Sequence, residues 1–322
     1  MDYYNNFYDE ESKKDLNYDL VQVQGRKRNK KILSLCGWFL SIIIIVISII
    51  QVIIFALSQK FFIKFYESDW FNLTLTAISI LGVGLPLAFL LMKKVPDSKK
   101  GEVKKLSLGE FIKYFLVCYA AMFYTNLITL AVNKIISNFT GSEVVNPLED
   151  VILGSNTLII ILYATILGPI AEELIFRKLL LDKLRRFGDL PAILLTSIAF
   201  GLFHMNLSQA LYATAVGAVM AYVTVKTNTI RYSILIHIMV NFIGSGLAPL
   251  VLYSGDMKII ILISLVIQVI VAAGTAFFII NIKKIKFTKA AIPLVKKSDY
   301  ILNSGTIVFI ILCMFMIVES VL

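Results

Sequence analysis

Long runs without charged residues restrict what this chain can fold into. Residues 32–57 contain no Asp, Glu, Lys or Arg, and neither do residues 259–281. A helix of about 20 apolar residues spans the hydrocarbon core of a bilayer. The chain is 58% hydrophobic with a mean hydropathy of +0.82, whereas soluble domains are about 45–50% apolar. The sequence therefore predicts a polytopic membrane protein.

The apolar runs predict an all-α transmembrane helix bundle with about eight or nine spans. The basic stretch RKRNKK before the first run predicts a cytoplasmic N-terminus, and lysine-rich loops then alternate with loops poor in Lys and Arg. The last span is the weakest, because its apolar run is short. The predicted helices lie near residues 32–57, 71–92, 110–133, 152–180, 189–206, 208–226, 231–252, 258–281 and 301–319.

The sequence also suggests a division into four parts. Residues 1–31 are predicted to form a flexible cytoplasmic tail, 32–148 the N-terminal spans, 149–252 a catalytic core and 253–322 the C-terminal spans. The net charge of +10 lies in short loops between apolar runs. This placement fits lipid headgroups and argues against nucleic acid.

Charged residues at one place in an apolar helix point to function. Residues 169–180 read PIAEELIFRKLL and contain Glu172, Glu173 and Arg177. A charge at the centre of a membrane helix costs roughly 2.5–3.5 kcal/mol on insertion scales. One interpretation is that these residues simply mark the cytoplasmic end of a helix.

A second interpretation is that they line a cavity. Pro169 removes the helical partner of the Thr165 carbonyl and bends the helix. Glu173 and Arg177 are spaced to pair on one face, which leaves Glu172, about 100° round the helix, to face something else.

The chain contains two histidines, both predicted inside apolar helices. His204 has Phe200 one turn before it, and His237 has Asn241 one turn after it. A histidine in an apolar helix is often only a packed, hydrogen-bonded core residue. Two such histidines beside a carboxylate pair instead suggest a catalytic group, which comprises Glu172, Glu173, Arg177, His204, His237 and Asn241.

Two chemistries fit this group, and both hydrolyse an amide. A carboxylate and an imidazole can activate water, while a second imidazole and an amide donate to the oxyanion that forms. Alternatively, Glu172, His204 and His237 could hold one divalent metal such as zinc, which acidifies the water.

Three short motifs carry a family resemblance. EELIFR, FGLFH and HIMVN match EExxxR, FxxxH and HxxxN, and in this order they resemble the CPBP family of type II CAAX prenyl proteases, bacteriocin-processing enzymes and lysostaphin-resistance-protein-A-like proteins. The resemblance covers residues 150–250 and implies an intramembrane endopeptidase. It implies that Glu172 and His204 activate water and that Glu173 and Arg177 orient them. It further implies that His237 and Asn241 form the oxyanion hole.

The expected partners are the lipid bilayer and a membrane protein or peptide substrate, with no nucleic acid. The sequence favours water activated by glutamate without a required cofactor, and a divalent metal is the alternative. The Lys-, Ile- and Asn-rich composition is typical of a low-GC bacterium, so the expected location is the bacterial cytoplasmic membrane. Two other functions stay open: a non-proteolytic scaffold or bacteriocin-immunity factor, and a transporter. The sequence indicates no oligomeric state.

Overall fold

The computed structural model describes residues 2–68, 70–98, 101–144, 161–290 and 295–321, and the side chains of 2–22, 161 and 253 lie outside that description. Within these residues the fold is helical, and strand-like pairing is limited to one isolated bridge between Gly188 and Lys289. The longer helices are α1 (Asp2–Phe61), α2 (Phe71–Met92), α3 (Leu108–Thr140), α4 (161–184), α5 (Asp189–Leu202), α6 (Leu207–Thr227), α7 (Arg231–Leu252), α8 (Met257–Asn281) and α9 (Ser304–Glu319).

The all-α polytopic fold class is confirmed. Six helices of the described chain are long and apolar enough to cross a membrane, namely α1 from Val23 onward, α2, α3, α6, α7 and α8. Helices α5 and α9 are apolar but shorter. The total of eight or nine spans, the cytoplasmic N-terminus and the four-part division stay predictions. The first part of the helix predicted near 152–180, as well as the boundary at 148–149, lies outside the described residues.

Several helix ends follow from local capping. Helix α3 begins with a capping box, in which Ser107 and Glu110 each accept a backbone N–H of the other. Asn206 caps the start of α6, and Asn228 ends that helix in the left-handed conformation. Helix α1 differs from the prediction, because it begins at Asp2 instead of near residue 32.

The lysine-rich loops meet at one end of the bundle. The amide of Ser98, after α2, donates to the carbonyl of Asp182 at the end of α4, with a distance of 3.1 Å. At the start of α5, Asp189 exchanges two hydrogen bonds with Thr288, which follows α8. The loops that charge alternation assigned to one side of the membrane are therefore in direct contact.

Helix α1, from Arg26 onward, packs against the last helix, α9. The two meet at the end of the bundle that holds these loops. Arg26 donates from Nε and Nη2 to the two carboxylate oxygens of Asp299, at 2.8 and 3.1 Å. The helices then approach closely, because a Cβ added to Gly305 would lie 1.8 Å from the carbonyl oxygen of Ser34. Since both helices run away from this end, α1 and α9 are parallel.

Candidate active site

Helix α4 presents the predicted carboxylates on an irregular backbone. Its first stretch, Ile161–Leu167, is π-helical, Gly168–Glu173 is α-helical, and Leu174–Leu181 is π-helical again. A π-turn adds one residue to a helical turn and is frequent at functional sites. The short α-helical piece contains Pro169 and both glutamates, so these lie where the helical register changes.

Glu173 and Arg177 form the buried ion pair that their spacing predicted. Arg177 Nε lies 3.3 Å from Glu173 Oε2, and both side chains are fully buried. The Phe200 ring lies under the guanidinium, with 4.4 Å from Cζ to the ring centroid, and Nη2 donates to the carbonyl of Gly217 at 3.4 Å. A buried charge is tolerated only with such partners.

His237 lies between the two glutamates. Its Nδ1 is 3.1 Å from Glu173 Oε1, and its Nε2 is 3.6 Å from Glu172 Oε2. The ionised carboxylate of Glu173 can only accept a hydrogen bond, so Nδ1 carries the proton that this contact uses. Glu173 thus binds both Arg177 and His237, and it holds the imidazole with Nε2 toward Glu172. The Glu172 side chain retains 26% exposure.

His204 does not lie inside a helix, so that prediction is wrong. Helix α5 ends at Leu202, and His204 is in the turn that leads to α6. The turn forms because Met205 takes the left-handed conformation, with φ of 54°, and because Asn206 caps the next helix.

The tautomer of His204 follows from its hydrogen bond. Nδ1 lies 2.8 Å from the carbonyl oxygen of Phe200. A carbonyl oxygen only accepts, so Nδ1 is protonated, and Nε2 of the neutral ring keeps a lone pair.

One phenyl ring contacts both imidazoles. Phe200 packs edge-on against His204 at 4.9 Å between centroids and against His237 at 5.7 Å. In the described part of the chain, the ion-pair contact of Glu172 is with His237 and not with His204. The joint action of Glu172 and His204 therefore stays a prediction.

Asn241 contacts a backbone carbonyl. Its Nδ2 donates to the oxygen of Ala164 in α4, at 3.0 Å. An amide nitrogen carries two N–H groups, so the second hydrogen remains available. The donor role that the resemblance gives to Asn241 also stays a prediction.

The residues suggested as metal ligands do not form a recognisable metal site. Among the described residues, no three His, Cys, Asp or Glu side chains come together in a way that could hold a metal. Glu172 and His237 are adjacent, but His204 is not part of their contact. We therefore derive no chemical step through a metal, and metal dependence stays a prediction.

Sequence reasoning gave no role to two residues that contact the site. Ser233 is fully buried and lies beside Glu173; its spacing of four residues before His237 places it on the same helical face and could have revealed it. Gly217 accepts from Arg177 through its backbone, and nothing in the sequence indicates this. Tyr163 of α4 and Tyr212 of α6 lie within the electrostatic reach of Glu172.

An apolar cavity of about 370 Å³ adjoins the site. It lies between α4 and α7. Its lining residues are Thr165, Ile166, Ile238, Met239, Phe242 and Ile243.

A protein-family model matches part of the chain. Residues 154–243 match the sequence model of the family described as "Type II CAAX prenyl endopeptidase Rce1-like". The matched segment includes all three motifs, so the resemblance that the motifs indicated is confirmed for this segment. The apolar helices described above make the chain a multi-pass membrane protein.

The chain also resembles one curated protein. The chain is 28% identical over 159 residues to a Bacillus subtilis (strain 168) protein called "Putative membrane peptidase YdiL". The alignment covers 49% of this chain and 64% of that protein, so the chain spans somewhat less than two thirds of the relative. No solved structure matches. Both matches support a membrane protease in general.

Proposed function

We propose that this protein is an intramembrane peptidase that hydrolyses a peptide bond of a membrane-associated protein or peptide with water activated by Glu172. One observation carries the proposal. His237 is held between Glu172 and Glu173, and Glu173 is itself fixed by Arg177. A buried chain of ionisable groups ending in a partly exposed carboxylate is what general-base chemistry needs. The family match and the named relative support the same class of reaction.

Glu172 is the better candidate for the base of the two glutamates. Glu173 is completely buried and already engaged by two partners. Glu172 is partly exposed and faces His237 Nε2, so a water molecule can reach it. In the proposed reaction the water oxygen attacks the carbonyl carbon while its proton passes to Glu172.

The remaining residues stabilise the negative charge that develops on the carbonyl oxygen. Attack on the carbonyl forms a tetrahedral oxyanion, which N–H donors stabilise. His237, when Nε2 is protonated, and the second N–H of Asn241 would donate to it. His204 Nε2 has a lone pair and can exchange a proton with the reacting groups. Collapse of the intermediate breaks the C–N bond, and the proton held by Glu172 goes to the leaving amine.

The proposed steps use the residues of the chain, and none is assigned to a metal. That the peptidase is of the glutamate type stays a prediction, and the metallo type is the alternative. The proposed substrate is a membrane protein segment or membrane-associated peptide. The proposed location is the cytoplasmic membrane of a bacterium.

The experiment compares membranes from cells that express wild type and Glu172→Gln at equal levels. Glutamine keeps the shape of the side chain and removes the base. New peptide termini are quantified by mass spectrometry, with Glu319→Gln, an exposed carboxylate near the end of α9, as the matched control. We expect some termini to appear with wild type and the control but not with Glu172→Gln. Identical termini in all three, together with a retained toxin-resistance or export phenotype, would favour the scaffold or immunity alternative.

A further inference from the structure

The hydrogen bond between Asn241 and Ala164 replaces a backbone hydrogen bond that the sequence cannot form. Ala164 lies in the π-helical stretch Ile161–Leu167. In a π-helix the amide of residue i bonds to the carbonyl of residue i−5, so residue 169 should donate to the carbonyl of Ala164. That residue is Pro169, which has no N–H. Asn241 Nδ2 donates to this same carbonyl at 3.0 Å.

The π-helical spacing explains which carbonyl receives the amide. Reasoning from an α-helix, the sequence had pointed to Thr165, four residues before Pro169. In a π-helix the bonded carbonyl lies five residues before the donor. The carbonyl that lacks a donor because of Pro169 is therefore that of Ala164. In apolar surroundings a backbone carbonyl must be satisfied within the protein, and the side chain from α7 does this for α4.

The apolar cavity lies beside this link. Helices α4 and α7 are joined by polar contacts at two levels, Asn241 with Ala164 and His237 with the glutamates. The apolar cavity lies alongside both levels, since its lining includes Ile166 and Met239, which fall between the contact points in sequence. Apolar packing is non-directional, whereas a hydrogen bond joins two specific atoms with a preferred geometry. The polar links therefore define the register of α7 against α4 more sharply than the apolar contacts do.

We propose that Asn241 is a positioning residue that replaces the N–H missing at Pro169 and thereby fixes the register of α7 against α4. His237 is one turn before Asn241 on the same face of α7. A shift at Asn241 therefore moves the imidazole relative to Glu172 and Glu173. The consequence for hydrolysis rests on the proposed function, whereas the consequence for stability does not.

A double-mutant cycle with Pro169→Ala tests the hydrogen bond. Alanine at 169 supplies a backbone N–H, so the Ala164 carbonyl no longer needs the side chain. Thermal unfolding of the full-length protein in detergent is measured for wild type, Asn241→Ala, Pro169→Ala and the double variant. We expect Asn241→Ala to lower the Tm, and the double variant to lose at least about 2 °C less than the sum of the single losses. Additive losses would overturn the proposal.

Two further variants keep the cycle interpretable. Asn241→Leu preserves the approximate size of the side chain and removes the donor without adding charge, so it should behave like Asn241→Ala and also be rescued by Pro169→Ala. It takes the place of Asn241→Ala in the cycle if that variant does not fold. Asn281→Ala is the matched control, because Asn281 Nδ2 donates to Phe277 of its own helix at 2.9 Å. Coupling of Asn281→Ala to Pro169→Ala would show that the rescue is not specific and would overturn the proposal.

Peptidase activity separates positioning from direct action on the oxyanion. The peptide identified from the new termini serves as substrate. Positioning predicts that Pro169→Ala restores the kcat of Asn241→Ala by about tenfold or more, because His237 regains its register. If stability is rescued and kcat is not, the link exists but does not set the position of His237, and the positioning role fails. If wild type itself cleaves nothing, the proposed function fails, while the stability cycle still decides whether the link exists.

Discussion

Glu173 Oε1 lies 3.1 Å from His237 Nδ1, and this contact joins α4 to α7 at the centre of the candidate site. The same carboxylate faces Arg177 through its other oxygen. One buried side chain therefore holds a guanidinium on its own helix and an imidazole on another. Because all three groups are almost completely buried, removal of any one leaves a charge or polar group without its partner.

Loss of Arg177 should destabilise the protein strongly. Arg177→Ala leaves the buried carboxylate of Glu173 without its positively charged partner, and breaking a buried ion pair typically costs about 3–5 kcal/mol. We expect a large fall in Tm in detergent or a loss of folded protein. Lys178→Ala is the control, because the neighbouring Lys178 side chain is exposed; an equal effect of both variants would contradict the assignment.

The two glutamates should differ when each is changed to glutamine. Glu172→Gln should lower kcat by roughly 10²–10⁴-fold, the usual contribution of a general base, and should leave Tm nearly unchanged because the side chain is partly exposed. Glu173→Gln should lower both, since it weakens the partner of Arg177. Kinetics and thermal unfolding on the same preparations check this difference. A Tm loss equal in the two variants would argue against separate roles.

Gly217 should not accept a side chain. A Cβ at this position would lie 3.0 Å from Phe200 Cδ1 and 3.4 Å from Arg177 Nη2. Gly217→Ala should therefore press on both groups and cost about 1–3 kcal/mol, as overpacking does. Gly244→Ala in α7 is the control, because nothing lies within 4 Å of its added Cβ. Equal Tm values for the two variants would show that the packing at Gly217 can relax.

The contact between α1 and the segment before α9 should weaken in acid. The Arg26 guanidinium, by its hydrogen bonds, holds the pKa of Asp299 well below its ordinary value. A lowered folded-state pKa gives stability that is complete above the ordinary Asp value of about 4 and is lost as pH falls through the folded value. We expect Asp299→Asn to lower Tm at neutral pH, with the difference from wild type narrowing below about pH 4. A difference that does not change with pH would show that the ion pair contributes nothing.

The sequence predicted the helices and their charged partners better than it predicted the turns. Runs of apolar residues located α2 and α6 almost to the residue, because the bilayer requires a minimum length of apolar helix. The pair of Glu173 and Arg177 followed from helical spacing alone. These features depend on local periodicity, which a sequence shows directly.

Other features depend on contacts between distant segments. The π-helical stretches around Pro169 change which residues face α7, and α-helical spacing cannot anticipate them. His204 was predicted to lie inside a helix because no glycine or proline in the sequence marks the left-handed turn at Met205. The partner of Glu172 is set by how α7 packs on α4, so sequence spacing left it undetermined.

The close approach of Ser34 and Gly305 has a consequence for biogenesis. During synthesis the first helix leaves the ribosome long before residue 305 exists, so its Gly37 face, which α9 later covers, has no protein neighbour in that interval. Lipid or an insertion factor must occupy that face until the last helix arrives. The sequence separation of the two partners makes this a late, non-local step, of the kind that limits folding rates. Ribosome-stalled chains that lack the last helix should consequently be the form of this protein most exposed to quality-control proteases.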